Sequence, residues 1–87
     1  MPTQRDYIGM INSYQKAWEN TSNAGRLVHR EGETTQEYRG RGKALTQEAR
    51  EHLDSFRRLA PRGILIAFEG HLKTLEEQIA SLDAEFS

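Results

Sequence analysis

The stretch 63-GILIAFEGHLKTLEEQIASLDAEF-86 decides how this chain folds. Within it Leu65, Phe68, Leu72, Leu75, Ile79, Leu82 and Phe86 follow one another in alternating three- and four-residue steps without a miss. That is the heptad spacing that puts apolar side chains on one stripe of a helix. The pattern predicts a helix over 63–85 whose ridge has to be covered by another helix. Glu69, Glu76 and Asp83 flank the ridge on one side and His71, Gln78 and Glu85 on the other. This arrangement offers no complementary charges for a parallel pairing with itself, so an antiparallel partner in the same chain or in a second subunit is expected. Residues 63–70 also read as a short buried strand, because Ile64 to Phe68 are apolar in succession between two glycines. Leu65 and Phe68 are in register with the rest of the ridge, which favours the helix. A helix apolar nearly all round at this end places 64–68 either centrally in the core or in an interface.

Upstream, Pro61 ends the preceding helix, and Gly63 makes Ala60 to Gly63 a tight corner. Before it, Thr46 is an N-cap candidate with Glu48 in the first turn, which predicts a helix over 46–60. Its inward face is Leu45, Ala49, Leu53, Phe56 and Leu59, and its outward face is charged, with Arg50, Asp54 and Arg58 at four-residue spacing. At the start of the chain, Thr3 and Asp6 form a capping-box pattern, and Tyr7, Ile11, Tyr14 and Trp18 recur as one helical face. Ile8, Met10 and Ala17 widen that face, and the polar cluster Asn20 to Asn23 followed by Gly25 predicts a helix over 4–23. Residues 24–44 are polar, punctuated by Gly25, Gly32, Gly40 and Gly42, with Leu27, Val28 and Tyr38 the sizeable apolar groups. They are expected to form partial helix followed by a mobile loop. The expected fold is therefore all-α, a single domain over 1–87. It is a three-helix bundle with a C-terminal antiparallel hairpin and a long glycine-containing polar loop. The alternative is an α+β fold with a small hairpin at 26–39.

A chain of 87 residues buries one core, and a thin one. Self-association or a partner would supplement it, and a homodimer fits that need. The absence of cysteine excludes disulfides, thiolate metal sites and cysteine nucleophiles. Met1 to Tyr7 is polar, and the longest unbroken apolar run is Ile64 to Phe68, far short of the ~20 residues of a membrane span. No membrane role is expected, and the default location is the cytoplasm. Charge is uneven: residues 26–62 carry nine basic and six acidic groups, about +3, and residues 63–87 carry one basic and five acidic, about −4. Opposite signs on neighbouring segments predict that the two pack together.

Chemistry-bearing patterns are sparse. His29, His52 and His71 match neither HExxH nor Glu-x-x-His spacing, so no metal or cofactor is expected. No serine stands in a GxSxG turn, and enzymatic activity is not expected. Tyr38-Arg-Gly-Arg-Gly-Lys43 is basic and glycine-spaced with an aromatic at its head, a combination that can approach and neutralise a phosphate or contact a protein. It lacks Walker-loop spacing, and Glu31, Glu33 and Glu37 lie just upstream, so a solvated loop accounts for it as well. The leading expectation is a non-enzymatic protein-interaction or assembly module that uses an apolar helical seam and this basic loop. Its candidate contact residues are Tyr14, Trp18, Tyr38, Arg39, Arg41, Lys43, Arg57, Arg58 and Phe86. The alternatives are a nucleic-acid-associated protein using the basic segment 39–62, and a phage or mobile-element inhibitor that occludes a host complex.

Overall fold

A computed structural model describes residues 3–87, so Met1 and Pro2 of the polar leading stretch lie outside the described residues. Three helices follow in order: α1 over Gln4–Gly25, α2 over Thr35–Leu59 and α3 over Arg62–Glu85. Together they make an all-α three-helix bundle, and no strand occurs among the described residues. The bundle is elongated, 51 × 23 × 15 Å, and α1 packs most extensively on α2.

α1 starts where its capping box requires. The Asp6 amide donates to Thr3 Oγ1 (3.2 Å) and the Thr3 amide donates to the Asp6 carboxylate (3.0 Å), so two otherwise orphaned donors are satisfied. Hydrogen bonding to the Asp6 carboxylate from the Thr3 amide, and after it from the Thr3 side chain, holds that carboxyl below its ordinary range. The helix runs two residues beyond the expected stop at Asn23. Thr21 and Ala24 are buried against the bundle, and the Thr21 hydroxyl donates back to the Ala17 carbonyl (2.7 Å), so the polar cluster stays helical.

α2 departs most from the sequence expectation. It begins at Thr35 rather than at Thr46, so the stretch expected to be mobile is helical from residue 35 on, and the alternative hairpin at 26–39 is not adopted. The N-cap is Thr34, whose hydroxyl accepts from the Glu37 amide (3.0 Å). Thr46 sits mid-helix and fully buried, its hydroxyl donating to the Lys43 carbonyl (3.0 Å) and shared with Asp83 Oδ1 (3.1 Å). Gly40 and Gly42 cost this helix roughly 1 kcal/mol each relative to alanine. At Gly42 the reason is visible: a Cβ there would lie 2.3–2.5 Å from three ring carbons of Phe86. The missing side chain is the socket for the last aromatic of α3.

The corner between α2 and α3 falls at Pro61 as expected, but it spans only Ala60 and Pro61, both extended, and Gly63 already lies inside α3. The Ala60 amide closes α2 on the Phe56 carbonyl (2.8 Å), and Pro61 is the N-cap of α3. Along α3 the ridge faces inward, with Leu72, Leu75, Ile79 and Phe86 buried and Leu65, Phe68 and Leu82 half-buried. The basic middle and acidic end of the chain meet across the α2–α3 contact through ion pairs Arg50–Asp83 (3.6 Å) and Arg57–Glu76. Tyr14 joins all three helices, its ring 5.3 Å from Phe56 and 5.4 Å from Phe68.

Candidate functional site

The two ends of the bundle differ in chemistry because the helices run up, down and up. The start of α1, the end of α2 and the start of α3 share one end, where Leu59 packs on Gly9 beside the Tyr14–Phe56–Phe68 cluster. The start of α2 and the end of α3 share the other with the 26–34 connection.

The second end is closed by polar contacts. Arg41 forms a two-pronged pair with Glu33, Nε to Oε2 at 2.6 Å and a terminal guanidinium nitrogen to Oε1 at 2.8 Å, and that same nitrogen donates to the Val28 carbonyl (2.9 Å). The Arg41 hydrogen bond, helped by the Arg30 amide, lowers the Glu33 carboxyl from its ordinary 4.5 to about 2. In return the Glu33 carboxylate raises the pKa of the Arg41 guanidinium. The Tyr38 hydroxyl donates to the Leu27 carbonyl (3.2 Å), and its ring lies between His29 (5.3 Å) and the edge of Phe86 (5.7 Å). Gly32 turns the connection at φ +80°, a left-handed conformation that glycine adopts without a Cβ penalty.

These contacts correct the picture of a basic loop. Arg39, Arg41 and Lys43 are helical residues of α2. Arg41 is neutralised by Glu33, Tyr38 is half-buried against Phe86, and Phe86 is 4% exposed, so none of these three presents a free side chain. Arg39 and Lys43 remain exposed beside an open groove of about 630 Å³ that also involves Gln36 and Phe86. Arg57 and Arg58 are exposed too, but Arg57 pairs with Glu76 and Arg58 donates to the Ser55 hydroxyl (3.1 Å). Lys43 and Arg57 are fourteen residues apart, roughly 21 Å of helix, with Glu48, Glu51 and Asp54 between them. The fold does not gather the basic residues into one cluster. Tyr14 and Trp18 are half-buried, Trp18 edge-on to Tyr14 at 6.4 Å, so this half of the α1 stripe is spent on packing while Tyr7 and Ile11 are exposed.

The first end has a different surface. Of the five large apolar residues left exposed, Tyr7, Ile8, Ile11 and Ile66 lie at this end, and Val28 alone lies elsewhere. Leu65, Ile66 and Leu72 floor an open groove of about 570 Å³ whose rim carries Arg57, Arg62, Lys73, Glu69 and Glu76. The candidate residues drawn from sequence did not include Ile8, Ile11 or Ile66. The usable signal was the all-round apolar character of 64–68, which pointed to core or interface. The structure divides that run, with Ile64, Leu65 and Phe68 turned inward and Ile66 63% exposed. No group of three or more histidine, aspartate or glutamate side chains converges into a cation site among the described residues. Compared with protein-family models, with curated proteins and with solved structures, the chain matches none.

Proposed function

We propose that this chain is a non-catalytic binding module that holds a macromolecular partner, most simply another protein, on the apolar end of its bundle. The observation that carries this reading is the gathering of Tyr7, Ile8, Ile11 and Ile66 at one end while the ridge of α3 is buried or half-buried. Apolar residues exposed singly need no explanation, but a concentration of them rimmed by charged side chains is the composition of a contact surface. Arg62, Glu69 and Lys73 supply such a rim around Ile66. The basic residues Arg39, Lys43 and Arg58 then act as surface charge that steers encounter. A nucleic-acid role draws less support, because acidic residues interrupt the basic segment and Arg41 and Arg57 already have partners.

The test is affinity capture from the native cell with the wild-type chain and with Ile8→Asp/Ile11→Asp/Ile66→Asp. All three positions are at least half exposed, so the helical circular dichroism spectrum is expected to be unchanged. Loss of the wild-type partner from the variant supports the apolar end as the contact surface. Capture of the same partner in equal amount by both rejects it.

A further inference from the structure

The buried apolar side chains make one connected cluster that runs from Met10 of α1 through Leu53 and Phe56 of α2 to Leu75 and Ile79 of α3. No residue between Trp18 and Ala49 belongs to it, and Phe86 is buried outside it. Over residues 26–45 the one buried residue is Gly42, which has no side chain, and Leu27, Tyr38 and Leu45 are the half-buried apolar groups. This end is tied to α3 through the end of that helix alone: Phe86 is seated on Gly42 and against Tyr38, and Asp83 accepts from Thr46 and pairs with Arg50. Its other ties are polar and stay within the segment, from Arg41 to Glu33 and the Val28 carbonyl and from Tyr38 to the Leu27 carbonyl. Such bonds add little net stability, because water replaces them when they open. Gly40 and Gly42 weaken the helix further. One aromatic ring is therefore the main apolar clasp on this whole stretch, whereas from Thr46 and Ala49 onward α2 is anchored by fully buried side chains.

We propose that residues 26–45 and the end of α3 from Asp83 to Phe86 form a second cooperative unit, which opens as a whole while the core stays folded, with α2 hinged at Thr46 and Phe86 as the latch. The ties are interlocked, since Tyr38 touches both Leu27 and Phe86 and Arg41 touches both Val28 and Glu33, so releasing the latch loosens the connection as well as the helix. The closed form conceals Tyr38, Arg41 and Phe86. Opening presents them together with Arg39 and Lys43, so the latch governs when this basic and aromatic segment is accessible. The unit lies at the end of the bundle away from Tyr7, Ile8 and Ile11, and the proposal does not depend on the binding reading above.

Native-state hydrogen exchange of the full chain, read amide by amide by NMR, tests this. The amides of Tyr38 to Leu45 are expected to be protected at least about tenfold less than those of Leu53 to Leu59 and Leu75 to Ile79. Ile79→Val trims one methyl group from the core and is expected to speed exchange of the core amides by about 2- to 10-fold. It should leave Tyr38 to Leu45 unchanged, because the open and closed forms both keep the core. Phe86→Ala is expected to speed exchange of Tyr38 to Leu45 by about 10- to 100-fold, the equivalent of one buried aromatic side chain. The wild-type and Ile79→Val measurements decide the question even if Phe86→Ala does not fold. Amides of Tyr38 to Leu45 that exchange at the core's rate, and speed up with it in Ile79→Val, show a single cooperative unit and overturn the proposal. Exchange of these amides that a folded Phe86→Ala leaves unchanged overturns the latch.

Discussion

Replacing Gly42 by alanine is expected to destabilise this protein, the reverse of what that change does at an unencumbered helix position. In a helix interior alanine gains about 0.5–1 kcal/mol over glycine through lower chain entropy. The new methyl of Gly42→Ala, however, would stand 2.3 Å from Phe86 Cδ1, 2.4 Å from Cγ and 2.5 Å from Cδ2. Carbon atoms settle at about 3.5–4.0 Å, so the ring has to retreat by more than about 1 Å, and the closeness of Cγ means that a small tilt does not suffice. Swinging Phe86 out gives up most of the burial of a side chain now 4% exposed, about 1.5–3 kcal/mol. It also gives up the edge contact with Tyr38, worth about 0.5–1.5 kcal/mol. Set against the gain from alanine, the net loss is about 1–4 kcal/mol. Gly40→Ala is the internal control, since nothing lies within 4 Å of its added methyl, and it is expected to stabilise by about 0.5–1 kcal/mol. Urea denaturation followed by far-UV circular dichroism measures both, and Gly42→Ala in a Phe86→Ala background should lose its penalty. If both alanines stabilise to the same extent, the socket is not where Phe86 resides and the account of α2 collapses.

Three further substitutions test the polar contacts of α2. Thr34→Ala removes the cap on the Glu37 amide and is expected to lower stability by about 1 kcal/mol in the same denaturation assay, whereas Thr46→Ser keeps its hydroxyl and should cost less. Glu33 is held at about 2 in the fold against an ordinary 4.5, so its contribution is complete above about pH 4.5 and is lost as pH falls through about 2. An acid titration of stability should therefore show wild type above Glu33→Gln near neutrality, with the gap closing toward pH 2. A gap that stays constant with pH would show that the carboxylate charge contributes nothing.

The ridge of α3, the capping box of α1 and the corner at Pro61 were legible because each is a local pattern: a spacing, a pair three residues apart, a ring that blocks a hydrogen bond. The first eleven residues of α2 were not. Thr35 to Leu45 contain two glycines and few apolar groups, and their helicity depends on Phe86, more than forty residues away, together with Glu33 and Leu27 in the preceding connection. The same long-range contacts converted Tyr38, Arg41 and Phe86 from surface candidates into structural residues. The exposed positions Ile8, Ile11 and Ile66 were hard to select because an apolar residue in a helical pattern reads as core until its neighbours are known.

By itself the amino-acid sequence determined that this chain is helical, where its third helix begins and which ridge of that helix is buried, because hydrogen bonding and apolar periodicity within a helix are local. The start of α2 has a local signal in Thr34 and Glu37, three residues apart, but only the tertiary structure decided that Thr35 to Leu45 stay helical across two glycines, that Gly42 is a socket, and that the uncovered apolar side chains collect at one end. Those features are set by which helices lie side by side, and whether a side chain is covered is a property of its neighbours in space, not of its neighbours along the chain.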